Sequence, residues 1–154
     1  MKPFNGLGHI AFKVKDLGAS IAFYEKLGFP EMLRLLNHEG EPWIVYVRIS
    51  DDLYLELFPN GKGDKVPPAD QVGLTHLCLT STNLDETEAH LQRVGIALSS
   101  PRKDKRGVDG NRGMWIEDPD GHRIEIMEMA ADCIQYKAVQ ALAAGEKPAA
   151  LSLF

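Results

Sequence analysis

Two stretches of the chain alternate apolar and polar residues with the period of a half-buried strand. In Leu53-Tyr54-Leu55-Glu56-Leu57-Phe58, Leu55 and Leu57 share one face, and Tyr54, Glu56 and Phe58 share the other. In Arg123-Ile124-Glu125-Ile126-Met127-Glu128, Ile124 and Ile126 face away from Arg123, Glu125 and Met127. Each strand thus carries a carboxylate in an apolar setting, which is costly without a partner. Two more alternating stretches stand upstream. Residues 8–14 set Ile10, Phe12 and Val14 against His9, Ala11 and Lys13, and residues 74–80 set Leu77 and Leu79 against His76 and Cys78. The 3.6-residue period also appears twice. Asp16 caps a helix expected through Leu27, with Leu17, Ile21, Tyr24 and Leu27 on one stripe and Gly28 as the stop. Asn83 with Glu86 three residues on forms a capping box for a helix through Val94, ended by Gly95.

These elements repeat in register. His9 precedes Leu17 by 8 residues and Gly28 by 19, and His76 precedes Leu84 and Gly95 by the same intervals. Glu56 follows His9 by 47 residues, and Glu125 follows His76 by 49. Further strands are expected at 32–38 and 43–50 in the first half, and near 96–99 and 114–117 in the second. Each half then reads β-α-β-β-β, with a His on its first strand and a Glu on its last. The predicted class is α+β: two βαβββ modules forming a concave mixed sheet, plus a C-terminal helix. The first module spans 5–59, a Gly- and Pro-rich linker 60–72, and the second module 73–130. An Ala-rich helix over 131–144 and an apolar tail make up residues 131–154.

Composition narrows the class. The chain has 154 residues, 44% hydrophobic and 25% charged, with a net charge of −5. That is one globular domain's worth of chain, and its acidity argues against a nucleic-acid partner. No run is long or apolar enough for a membrane span, and the N-terminus carries no signal-like apolar region, so a cytoplasmic protein is expected. Cys78 and Cys133 lack redox or metal spacing and read as two reduced thiols.

The chemistry lies in the matched residues. Alternation puts His9 and Glu56 opposite the apolar face of the first module, and His76 and Glu125 likewise in the second. Two imidazoles and two carboxylates suit a divalent cation with open positions for water or substrate. Each residue alone has a blander reading, a satisfied histidine or a solvated glutamate. Recurrence of all four at repeat positions favours the metal site. Tyr54 and Phe58 flank Glu56 as pocket walls or as cross-strand packing. The basic loop 101–112, with Arg106, reads as a lid for an anionic substrate or as solvated surface, the second slightly favoured. Trp43 and Trp115 are expected in a core or interface.

The residues Gly8-His9-Ile10-Ala11-Phe12 with Asp16-Leu17, Phe23-Tyr24 before Leu27-Gly28, Glu56, His76, and Asp118-Pro119-Asp120-Gly121 leading to Ile124-Glu125 carry a family resemblance. The chain resembles the vicinal oxygen chelate superfamily, and within it glyoxalase I, over about residues 5–130. The resemblance implies one divalent metal per site, nickel or zinc, with cobalt, iron or manganese also possible, held by His9, Glu56, His76 and Glu125. It implies a lyase or isomerase acting on a small molecule such as the hemithioacetal of methylglyoxal and glutathione, by proton transfer through a metal-bound enediolate. Glu125 would be the base, with Glu56 as its symmetric counterpart. A homodimer is implied, since modules in this family often pair across chains. Lys13, Tyr54, Phe58 and Arg106 are candidate substrate contacts. Lys13 stands where glyoxalase I commonly carries an Arg. The alternatives are an epimerase or other lyase of the superfamily, and a non-catalytic drug binder of the bleomycin-resistance kind, which usually lacks the full ligand set.

Overall fold

The computed structural model describes residues 3–68, 70–102 and 104–146. It divides into two compact units, Met1–Gln71 with Asp118–His122, and Val72–Glu117 with Arg123–Phe154. The class is α+β, built on two mixed sheets with few helices.

The first unit contains β1 (His9–Lys13), α1 (Leu17–Lys26), β2 (Glu31–Leu36), β3 (Pro42–Arg48) and β4 (Tyr54–Phe58). The strand order is β1-β4-β3-β2, with β1 parallel to β4 and the remaining pairs antiparallel. Alternation decides which face is buried. Val45, Val47, Leu55 and Leu57 are fully enclosed and Phe12 nearly so, while His9, Ala11 and Lys13 are exposed on the other side. Asp16 caps α1 by accepting from the Ala19 N–H at 2.9 Å, and Gly28 ends it at φ +88°, a conformation that favours glycine.

The stretch read from composition as a linker is tied down where it begins. The Gly61 N–H donates to the Val14 carbonyl at 2.8 Å, and the Val66 N–H to the Asp120 carbonyl at 3.1 Å. Lys15 Nζ meets Asp64 at 3.3 Å.

The second unit contains β5 (Leu77–Thr80), α2 (Leu84–Arg93), β6 (Arg112–Glu117), β7 (Arg123–Glu128) and α3 (Ile134–Ala143). The order is β5-β7-β6, β5 parallel to β7 and β6 antiparallel to it. Leu84, Leu91, Met114, Ile116, Ile124 and Ile126 form the core. The Asn83 side chain accepts from the N–H groups of Asp85 and Glu86, and Glu128 takes the Leu84 N–H at 2.9 Å. The strand expected near 96–99 is reduced to one bridge, Ser100 to Trp115. Pro101 follows directly and has no N–H to continue a ladder. The first strand is also shorter than the 74–80 pattern, so His76 immediately precedes β5.

The C-terminal helix forms over a shorter span than 131–144 and buries none of its residues. It is fastened at its start, where the Ile134 N–H donates to the Asp109 carbonyl at 3.1 Å. The apolar tail beyond residue 146 lies outside the described residues. Among the described residues, no helix is long and apolar enough to cross a membrane.

Candidate metal and substrate site

In the first unit, ladder register places Ala11 opposite Glu56 and His9 opposite Tyr54. His9 and Glu56 are therefore diagonal neighbours on the open face of the sheet. His9 Nε2 lies 3.4 Å from Glu56 Oε2, with the imidazole 45% exposed and the carboxylate 12%. Tyr54 stacks on His9 at 5.6 Å, and Tyr46 meets Tyr54 at 5.5 Å. Tyr46 is also the β3 partner of Glu56. Burial, then the charge and hydrogen bonding of Glu56, push its phenol above the ordinary range. Phe58 and Lys13 are paired in register farther along this face.

The second unit repeats the arrangement with different neighbours. Glu125 lies opposite Cys78 on one side and Trp115 on the other. His76 Nε2 is 3.5 Å from Glu125 Oε2, with the side chains 35% and 19% exposed. The Thr75 hydroxyl engages His76 Nδ1 at 3.1 Å, which orients the ring with Nε2 toward Glu125. The Trp115 ring meets the His76 imidazole edge-on at 5.0 Å. Burial, then the negative charge and hydrogen bonding of Glu125, hold the Cys78 thiol up at about 11. Cys78 and Cys133 are both free thiols.

Both His–Glu separations exceed the usual hydrogen-bond range. They match the spacing of about 3.4 Å between two ligands at about 2.1 Å from one ion in tetrahedral geometry. Each pair offers one borderline nitrogen and one oxygen, donors of a kind that suits a divalent cation. Among the described residues, no three His, Cys, Asp or Glu side chains form a group that could hold an ion.

The family model of the glyoxalase/bleomycin resistance protein/dioxygenase superfamily matches residues 6–126. The chain belongs to this superfamily. A lactoylglutathione lyase of Schizosaccharomyces pombe is 26% identical over 135 residues, 78% of this chain but only 44% of that protein. The chain therefore spans under half the length of that relative. Among solved structures, a glyoxalase family protein from Enterococcus faecalis superposes with TM-score 0.69 at 25% identity, covering 81% of this chain and 98% of that one. A lactoylglutathione lyase from Agrobacterium tumefaciens shares the fold at TM-score 0.60 and 23% identity, covering 82% of this chain and 96% of that one.

Other sequence expectations fall out differently. Arg106 is not part of the His76–Glu125 cluster; its guanidinium bonds Asp132 at 3.0 Å, just before α3. Trp43 is 55% exposed, not in the core. Trp115 lines the Glu125 face. Sequence reasoning assigned no role beside the carboxylates to Tyr46, Thr75, Trp115 or Arg123. The alternation of β7 already put Arg123 on the Glu125 face, but the neighbours on β3 and β6 emerge only once strand register is fixed.

Proposed function

We propose that the chain is a metal-dependent lyase or isomerase resembling lactoylglutathione lyase, moving a proton between adjacent carbons of a vicinal-oxygen substrate. The observation that supports this is the two matched His–Glu pairs at 3.4 and 3.5 Å. His9, Glu56, His76 and Glu125 would hold one divalent ion, nickel or zinc, with cobalt, iron and manganese also suited to these donors. When bound, the ion supplies a Lewis acid that favours negative charge on the substrate oxygens.

The remaining work falls to side chains of this protein. Glu125 takes the carbon-bound proton and returns it to the neighbouring carbon. Glu56, the more enclosed carboxylate, stays a ligand. The imidazoles hold their positions, His76 through Thr75 and His9 against Tyr54. Tyr54 and Phe58 wall the substrate, and Lys13 offers it a point charge. The protein acts as a homodimer, and Met32, Leu33, Leu36 and Trp43, each about half exposed, form apolar surface that a second copy would cover.

The test is turnover of the methylglyoxal–glutathione hemithioacetal by stripped protein refilled with nickel, zinc, cobalt or manganese. Turnover is expected with nickel or zinc, falling about 100-fold or more in Glu125→Gln. Absence of metal-dependent turnover with all four overturns the reading.

A further inference from the structure

The Glu125 face carries one more charged group that the proposed chemistry leaves unused. Arg123 lies two residues before Glu125 on β7, so both project to the same side. Its guanidinium carbon stands 4.4 Å over the centre of the Trp115 ring. That ring lies opposite Glu125 in the ladder and meets His76 at its edge. Cation, indole and imidazole thus run side by side along the face that holds the carboxylate.

Other arginines are taken up by carboxylates: Arg34 by Glu31, Arg48 by Asp51, Arg102 by Asp85 and Glu88, Arg106 by Asp132, and Arg112 by Glu128. No ion pair of Arg123 is found among the described residues. An aromatic ring steadies a guanidinium by cation–π attraction without using up its N–H donors. The exposed fork therefore keeps its capacity for bidentate binding of a carboxylate. Two residues along a strand span about 7 Å. An anionic group a few bonds from a carbon at Glu125 falls within that reach.

We infer that Arg123 is a specificity-determining residue, held over Trp115 to bind a carboxylate borne by the substrate. The inference rests on the proposed proton transfer at Glu125 and names the substrate class: vicinal-oxygen compounds that carry a carboxylate, either beside the reacting carbon or on a thiol carrier.

A binding measurement tests it without turnover. The chain has two tryptophans, so Trp43→Phe leaves Trp115 as the only indole reporter. Metal-stripped protein is titrated with pyruvate and with S-methylglutathione, each beside its uncharged ester. At least one acid is expected to change Trp115 fluorescence, and the responding acid identifies which position carries the carboxylate. Its Kd should rise about 10-fold or more in Arg123→Met and for the ester. Arg123→Lys should fall between the two. Equal titration by acid and ester, undiminished binding in Arg123→Met, or no response to either acid overturns the inference. Nickel binding and hemithioacetal turnover by the parent protein are read separately, so failure of the proton-transfer reading is distinguishable from failure at Arg123.

Discussion

At the scale of single residues, the two matched carboxylates differ in what surrounds them. Glu56 has Ala11 and the Tyr46 ring at its sides, whereas Glu125 has the Cys78 thiol and the Trp115 indole. Because burial and Glu125 raise the Cys78 thiol to about 11, little reactive thiolate exists near neutrality. Iodoacetamide should label Cys78 slowly at pH 8 in stripped protein and faster as pH approaches that value. Glu125→Gln removes the negative neighbour, lowers the thiol pKa and should speed labelling, as followed by intact mass. Unchanged rates would separate Cys78 from Glu125. A second polar cluster is structural. Buried Asp118 accepts from the Tyr24 hydroxyl at 3.0 Å, from His122 Nδ1 at 2.9 Å, and from the backbone N–H groups of Asp120 and His122. Burial, then Asp118, raises the Tyr24 phenol well above its usual range. Tyr24→Phe leaves Asp118 three donors and should cost about 1 kcal/mol, while Asp118→Ala strands the buried hydroxyl and should cost about 3 kcal/mol. Urea unfolding midpoints compare them. Alternation alone exposed the His and Glu residues. The Asp118 network was hidden because its Tyr24 partner lies 94 residues away in the chain.

Among the elements, helices and caps were the most legible, because Asp16, Asn83, Gly28 and Gly95 signal locally. Loops were least legible, since their anchors are distant in sequence. The 106–111 segment illustrates this. It is strapped to the start of α3 by Arg106 to Asp132, by Gln135 to Asp109 at 3.0 Å, and by Asn111 Oδ1 to the Ala130 N–H at 2.9 Å. Burial alone would raise the Asp109 carboxyl, but hydrogen bonds from Gln135 and Asn111 outweigh it and hold it low. Arg106 likewise holds Asp132 low. A carboxyl lowered in the folded state contributes stability above its unfolded pKa and loses it as pH falls through the folded value. Below about pH 4, α3 should therefore gain amide exchange before β4 does. Asp109→Ala should produce the same loosening at pH 7. The stretch after β4 offers a steric counterpart. A Cβ on Gly61 would lie 3.0 Å from the Val14 carbonyl carbon and 3.1 Å from its oxygen. Backbone cannot yield as a side-chain tip does, so Gly61→Ala should cost about 1–3 kcal/mol, measured as a lower Tm.

For the molecule as a whole, the repeat bears on how the proposed ion would be held, since among the described residues no three His, Cys, Asp or Glu side chains cluster. Each unit brings one imidazole and one carboxylate to an open sheet face, and a catalytic ion wants about three or more protein ligands with a position left open for water or substrate. Two independent half-sites would bind weakly and separately, giving two ions per chain, and a substitution in one half would spare the other. A single shared ion predicts the opposite. Nickel titration of stripped protein should saturate at one ion per chain. His9→Ala and His76→Ala should each weaken binding by more than about 100-fold, beyond the range for loss of a supporting hydrogen bond. Thr75→Val tests that lower range directly, because it removes only the hydroxyl on His76 Nδ1 and should cost about 10-fold. The double variant His9→Ala/His76→Ala should show no coupled loss if the halves act alone, and strong non-additivity if both ligate one ion. Additive, mild effects with two ions bound would break the link between the repeat and the chemistry, while leaving the membership of the superfamily and the fold untouched.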